Sequence, residues 1–325
     1  MRRIAIFSDS NRSVTAGLIR CAIAYATDQP KMSVAALVTR NPQAWEYRRG
    51  ARFRVAARAA LVAMSNSEVG WTPPQRFRVP PEIPVLTSDE FPTNSAELRT
   101  RLRDELGVDT LLSLYFGGIL SEEFLSAFPD AVNYHPALLP RNRGLAPIGF
   151  AIYAGDAQIG FTFHRMTPGI DEGPILAQGS VPVGAGVPVS VLTRQLGDLA
   201  VATLPSVLDE VRDGAPGSPQ AGEATYHSRI EVRSMINIAH PEEVTRDELQ
   251  RRLNAFGSLR LTIDGGRWPV SRLAPANRHR LRFTTSDGIE LGVSHLADLP
   301  AWLVRARRRL GGFRPGRTGS TTETG

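Results

Sequence analysis

Asn133 and His135 stand one residue apart, and Asp171 follows them in a turn-rich stretch, Pro168-Gly169-Ile170-Asp171-Glu172-Gly173. Alternate side chains of an extended chain share a face, so Asn133 and His135 present an amide and an imidazole side by side. An amide donates hydrogen bonds, an imidazole titrates near neutrality, and a carboxylate can orient and charge that imidazole. These are the parts of an acyl-transfer site, where a donor stabilises an oxyanion and a base manages a proton. Singly, each residue has an ordinary use: Asn and Asp form turns, and His often fills a core or a strand. Their grouping within residues 132–173 carries the functional reading.

The elements needed to hold these groups follow from hydrophobic periodicity. Strands are expected over 4–7, 33–39, 83–86, 110–115, 131–135 and 174–183, and helices over 14–27, 96–106, 122–127 (capped by Ser121) and 190–212. Such alternation predicts an α/β fold: a Rossmann-like, doubly wound, mostly parallel sheet. Ligands of these sheets sit beyond the carboxyl ends of the strands, where Asn133 and His135 fall. The polar loop 8–13 leads into a helix whose first amides lack partners, which makes Ser10 and Asn11 candidate substrate contacts. That loop contains no glycine, which argues against a dinucleotide-type phosphate grip. The Arg-rich segment 40–58 is a second candidate for a phosphate-bearing substrate.

Beyond the long helix, Asp213-Gly214-Ala215-Pro216-Gly217-Ser218-Pro219 is turn-rich. The expected organisation is a catalytic domain over 1–205, a linker over 206–224, a smaller β-rich, barrel-like domain over 225–310 and a disordered tail over 311–325. Within the second domain a helix is expected over 247–256, strands over 259–263, 268–273, 281–285 and 289–293, and a basic helix over 301–310.

A chain of 325 residues has ample core for two such domains. No apolar run approaches the roughly 20 residues that cross a bilayer, so no membrane partner is expected. The one cysteine, Cys21, precludes an internal disulfide and fits a cytoplasmic protein. The net charge of +6 is nearly all arginine, with Lys31 the only lysine, and it is too diffuse to argue for nucleic acid. No histidines show metal-ligand spacing, so no metal is expected. Oligomeric state is not encoded in any of these patterns.

The run Asn133-Tyr134-His135-Pro136-Ala137-Leu138-Leu139-Pro140-Arg141-Asn142-Arg143-Gly144 resembles the 10-formyltetrahydrofolate-dependent formyltransferases. Their pattern continues as Gly-X-Thr-X-His and a Gly-X-Asp-X-Gly loop, matched here by Gly160-Phe161-Thr162-Phe163-His164 and Gly169-Ile170-Asp171-Glu172-Gly173. Ala137 replaces the usual serine. Residues 113–120 look like the strand and turn that line the folate site, while residues 222–226 and 253–256 more faintly resemble the entry to a C-terminal domain of the methionyl-tRNA formyltransferase type.

The resemblance implies Asn133, His135 and Asp171 as catalytic groups and 10-formyltetrahydrofolate as formyl donor. It implies Phe116, Gly117, Ile119, Leu120, Leu138, Leu139, Pro140, Gly169 and Ile170 as the folate-binding set, with His164 against the acceptor or serving as a structural strand residue. Enzymes acting on tRNA usually carry another residue at His164 and Asp-Thr-Gly-Asp at 171–174, so a small-molecule amine is the expected partner. Ornithine or N-hydroxyornithine of siderophore biosynthesis comes first, a nucleotide-linked amino sugar second, and methionyl-tRNA stays open as an alternative.

Overall fold

The computed structural model of the chain describes residues 1–10, 13–41, 77–184, 187, 189–276 and 281–293. Asn11 and the Arg-rich segment beyond Asn41 lie outside the described residues, as do the basic helix and the tail expected from 301 onwards.

Strand alternation explains the main layers. In β1 (Arg2–Phe7), Ile4 and Ile6 enter one core while Ala5 and Phe7 enter another. Successive side chains leave opposite faces, so a strand with apolar residues on both must be covered twice. The first face is covered by α1 (Ser13–Asp28), through Leu18, Ile19 and Ala22. A later helix, which spans Val189–Arg212, joins it there through Leu192, Leu196, Ala200 and Leu204. The second face packs on Leu98 of α2 (Ala96–Thr100), on Leu102 of the π-helical turn Arg101–Glu105, and on Phe124 of α3 (Glu122–Leu125).

The remaining strands of this sheet are β2 (Met32–Thr39), β3 (Val85–Thr87), β4 (Thr110–Leu114) and β5 (Asp130–His135). After the short β6 (Arg143–Gly144) and α4 (Pro147–Ala154) come β7 (Gln158–Arg165) and β8 (Ile175–Pro182). The order is β3-β2-β1-β4-β5-β7-β8; the first five strands run parallel, and β7 pairs antiparallel with both β5 and β8. The expected doubly wound, mostly parallel sheet is therefore what forms. Ser121 caps α3 as expected, its Oγ accepting from the Phe124 amide at 3.2 Å, but the helix closes at Leu125.

The helix Val189–Arg212, α5, continues past the expected boundary at 205 because Val207, Leu208 and Val211 are still buried against the first core. The chain forms two compact units, one of residues Met1–Ile236 with Arg251–Gly257, the other of Asn237–Gln250 with the residues from Ser258 on. The first unit also holds β9 (Tyr226–His227), paired with β6, and α6 (Arg229–Ile236).

In the second unit, β10 (Asn237–Ile238) pairs with a hairpin that follows α7 (Arg246–Phe256). Its arms are β11 (Leu259–Ile263) and β12 (Gly266–Val270), and Asp264 and Gly265 at the turn have φ of 50° and 70°. Asp-Gly suits this turn because both central residues need left-handed backbone. The strand expected over 268–273 ends at Val270, and Leu273–Pro275 forms β13 in a second sheet with β14 (Leu281–Thr284) and β15 (Glu290–Val293). Among the described residues, the β-rich second region thus holds two three-stranded sheets. Among the described residues, no helix is long and apolar enough to cross a membrane.

Candidate active site

The same alternation that builds the cores aims the reactive groups. In β5, Val132 and Tyr134 enter the first core, which turns Asn133 and His135 to the other face. In β7, Phe161 and Phe163 do likewise and turn Thr162 and His164 with them. Antiparallel register then sets Asn133 opposite His164 and His135 opposite Thr162.

Asp171 closes the site from a loop. Its backbone is left-handed (φ 54°), and its carboxylate meets the strand residues directly. Asn133 Nδ2 donates to Asp171 Oδ1 at 3.3 Å, His135 Nδ1 lies 3.3 Å from Oδ2, and His164 Nε2 lies 3.5 Å from Oδ1. The Gly144 amide also donates to Oδ2, at 2.9 Å. Burial alone would raise the Asp171 pKa, but the His164 contact, the charge of His135 and the Gly144 amide outweigh it and hold the group below the ordinary carboxylate value. For His135 burial wins: its pKa is lowered, although the Asp171 carboxylate and the Asn142 carbonyl oppose the shift.

The loop that carries Asp171 is tied by side chains. Gln220 spends both amide protons on it, donating to the carbonyls of Asp171 at 2.8 Å and Gly173 at 2.9 Å. Its oxygen accepts from Arg143 Nη2 at 2.8 Å, and Arg143 Nη1 pairs with Glu172 at 3.0 Å. Gly173 has to be glycine, since a Cβ there would run into the Arg165 carbonyl. The side-chain oxygen of Thr162 donates to the Ala137 carbonyl at 2.7 Å and accepts from the Leu139 amide at 3.2 Å, which fixes the loop after β5.

Residues 2–208 match the family described as "Formyl transferase". The chain belongs to this family. The methionyl-tRNA formyltransferase of Ehrlichia ruminantium (strain Gardel) is 38% identical over 129 residues, 39% of this chain and 42% of that protein. The methionyl-tRNA formyltransferase of Janthinobacterium sp. (strain Marseille) is 30% identical over 200 residues, 59% of this chain and 63% of the relative. The chain thus spans less than two thirds of the length of these curated relatives. Among solved structures, a sugar N-formyltransferase from Shewanella sp FDAARGOS_354 superposes with a TM-score of 0.59 at 17% identity, covering 84% of this chain and 97% of that one. A 4-N formyltransferase from Francisella tularensis gives 0.55 at 18% identity, covering 84% and 97%. At these identities the likeness is one of fold.

The other expected site residues are distributed around this cluster of formyltransferase motifs. Phe116 packs edge-on against Phe7 at 5.3 Å and lies under the Arg40 guanidinium. The Gly117 amide donates to Asp9 at 3.0 Å, and Ile119 is 68% exposed. Leu120 differs from its neighbours: it is buried in the second core and offers a ligand no side-chain surface. Leu138 is half-buried, Leu139 and Pro140 are buried, and Gly169 and Ile170 lie at the mouth of the Asp171 loop, Ile170 exposed.

Ser10 sits on the β1–α1 loop beside Asp9, whose carboxylate takes the backbone and side chain of Arg40 at 2.6–2.8 Å. The same carboxylate also accepts from the Gly117 amide. His164, expected at the acceptor or in a structural role, is buried, and its Nδ1 faces the Arg165 carbonyl at 2.8 Å. Since a carbonyl only accepts, Nδ1 carries a proton, while Nε2 lies 3.2 Å from Asn133 Nδ2 and 3.5 Å from Asp171 Oδ1.

Gln220, Asn142 and Thr162 escaped the sequence reading as functional residues. Asn142 and Thr162 lie within the quoted motifs, so the signal was present in their positions. Gln220, in a Pro- and Gly-rich stretch, has no local signal.

Proposed function

We propose that this chain transfers the formyl group of 10-formyltetrahydrofolate to the amine of a small acceptor. The observation that carries the reading is the convergence of Asn133, His135 and His164 on the one carboxylate of Asp171. The acceptor nitrogen attacks the formyl carbon, and its proton leaves by way of neutral His135, whose protonated ring the Asp171 carboxylate then stabilises. Asn133 Nδ2 donates to the oxygen as it becomes an oxyanion, and its bonds at 3.2 and 3.3 Å are long enough to yield one proton to a better acceptor. The carbon–nitrogen bond to the folate then breaks, and the departing folate nitrogen takes a proton. Exposed Ile119 and Ile170, with half-buried Leu138, offer the apolar surface a pterin ring requires.

Beside Asp171 lies a cleft of about 260 Å³ lined by Arg143, Ile170, Glu172, Ala224, Thr225 and Tyr226. A guanidinium and a carboxylate next to apolar and aromatic walls complement an amino acid with a short aliphatic arm, so ornithine or N-hydroxyornithine is placed first. A nucleotide-linked amino sugar is the second reading, favoured by a fold likeness that spans nearly the whole of sugar N-formyltransferases.

Formyl transfer from 10-formyltetrahydrofolate is to be measured in parallel to ornithine, N-hydroxyornithine, a nucleotide-linked amino sugar and initiator methionyl-tRNA. Turnover of an amino-acid acceptor is expected. Turnover of tRNA alone would overturn the small-amine assignment, and no turnover of any amine by folded protein would overturn formyl transfer itself.

A further inference from the structure

His227 lies outside the motifs, yet its ring bridges two oxygens. Its Nδ1 meets Oε1 of Glu231, in the first turn of α6, at 3.0 Å, and its Nε2 meets Asn142 Oδ1 at 2.9 Å. The ring stacks on Phe150 with centroids 3.6 Å apart and planes within 4°. Asn142 in turn holds a left-handed backbone (φ 58°) and directs its carbonyl to His135 Nε2 at 2.8 Å. Polar contacts of 2.8–3.3 Å therefore connect Glu231, His227, Asn142, His135 and Asp171 in sequence.

The two acceptors on His135 decide its tautomer. The Asn142 carbonyl can only accept, and it makes the shorter contact, so Nε2 carries the proton in the neutral ring. Nδ1 is then the free base, 3.3 Å from Asp171, placed so that a proton arriving there is stabilised by the carboxylate. Were the Asn142 carbonyl to turn away, the single proton would move to Nδ1 to satisfy Asp171. The nitrogen beside the carboxylate could then take up nothing.

We propose that His227 is a positioning residue that, by holding the Asn142 side chain, fixes the Asn142 carbonyl and keeps His135 protonated at Nε2 with Nδ1 free. Asparagine tolerates left-handed backbone better than most residues but still at a cost, so a side-chain anchor is what such a residue needs. The inference deepens the formyl-transfer reading and rests on it for its catalytic consequence. The tautomer itself does not depend on that reading.

The experiment uses the full chain and reads the imidazole nitrogen resonances of His135 in the wild type, His227→Phe and His227→Gln. Phenylalanine keeps the stack on Phe150 and removes both bridges; glutamine keeps a donor for Asn142. The expected result is an Nε2-protonated His135 in the wild type and His227→Gln, and an Nδ1-protonated ring in His227→Phe. In the assay His227→Phe should lose kcat by about tenfold to a hundredfold, the usual range for partners that orient a reactive imidazole, with the KM for 10-formyltetrahydrofolate unchanged. Adding Asn142→Gly to His227→Phe should restore the Nε2 tautomer, because glycine adopts the left-handed backbone unaided. A His135 tautomer that is the same in the wild type and His227→Phe overturns the proposal, as does a double variant that remains Nδ1-protonated. A wild type that transfers no formyl group, yet shows the tautomer shift, sinks the functional reading and leaves this one standing.

Discussion

The site has a strand-borne half and a loop-borne half, and they are made rigid in different ways. Asn133, His135 and His164 project from β5 and β7, whose ladder sets their spacing and whose opposite face is buried in the first core. Asp171 projects from a left-handed loop residue held by Gln220, by the Gly144 amide and by the room that Gly173 leaves for a carbonyl. The first half gains its precision from hydrophobic burial and the second from a few hydrogen bonds. A one-residue slip would turn every strand side chain away, whereas the loop can fail one bond at a time.

The largest expected effect removes the group on which both halves meet. Asp171→Asn keeps the shape but removes the charge that orients and stabilises His135, so kcat should fall by about 10³-fold, within the range of general acid–base loss. A fall in kcat under tenfold would show that the halves do not act together.

Breaking the strand half should instead appear as instability. Phe163 is fully buried, tilted against Tyr134 and edge-on to Phe161, so Phe163→Ala should cost about 3–5 kcal/mol in denaturant unfolding. A cost near 1 kcal/mol would mean that the core beneath β5 and β7 does not set their register.

The contrast also explains what the sequence disclosed. Periodicity is a property of strands, so the faces of Ile4 and Ile6, or of Val132 and Tyr134, could be read directly, and with them the direction of Asn133 and His135. Asp171 was legible because turn-forming residues surround it. Gln220 was not, because a linker-like stretch has no period and the residue acts through groups 47, 49 and 77 positions away. His164 was seen, but its contacts with Asn133 and its own neighbour's carbonyl depend on cross-strand register, which composition does not reveal. The reach of α5 to Arg212 was legible from periodicity, since Val207, Leu208 and Val211 continue its apolar face.

Breaking the loop half should appear in kcat before it appears in stability. Gln220→Met keeps the volume and removes both donors, so kcat should drop about tenfold to a hundredfold, as for other groups that orient a catalytic side chain. The thermal midpoint should move by only a few degrees. A large loss of stability with normal kcat would make Gln220 a structural residue alone.

Acid sharpens the comparison next. His135 and Asp171 both have folded pKa values below their unfolded ones, so each stabilises the fold above its unfolded value and loses that contribution as pH falls towards the folded value. The His135 share should therefore fade below about pH 6.5 and the Asp171 share below about pH 3.9. Subtracting the denaturation profile of His135→Gln from that of wild type should leave a difference that shrinks as pH falls below about 6.5. A difference that grows as pH falls through that range would reverse the sign and refute the burial argument.

The smallest effect separates the amide clamp from the ion pair beside it. Glu172 reaches Arg143 at 3.0 Å, but its side chain is 55% exposed, so water and salt screen the pair. Such pairs contribute about 0–1 kcal/mol, beside the two part-buried hydrogen bonds that Gln220 donates to loop carbonyls. Glu172→Gln should thus lower stability by less than about 1 kcal/mol, and high salt should erase the difference from wild type. A loss as large as that of Gln220→Met, persisting in high salt, would mean that charge rather than neutral hydrogen bonding holds the Asp171 loop. The loop half would then be rigid for a different reason from the one its amide contacts give.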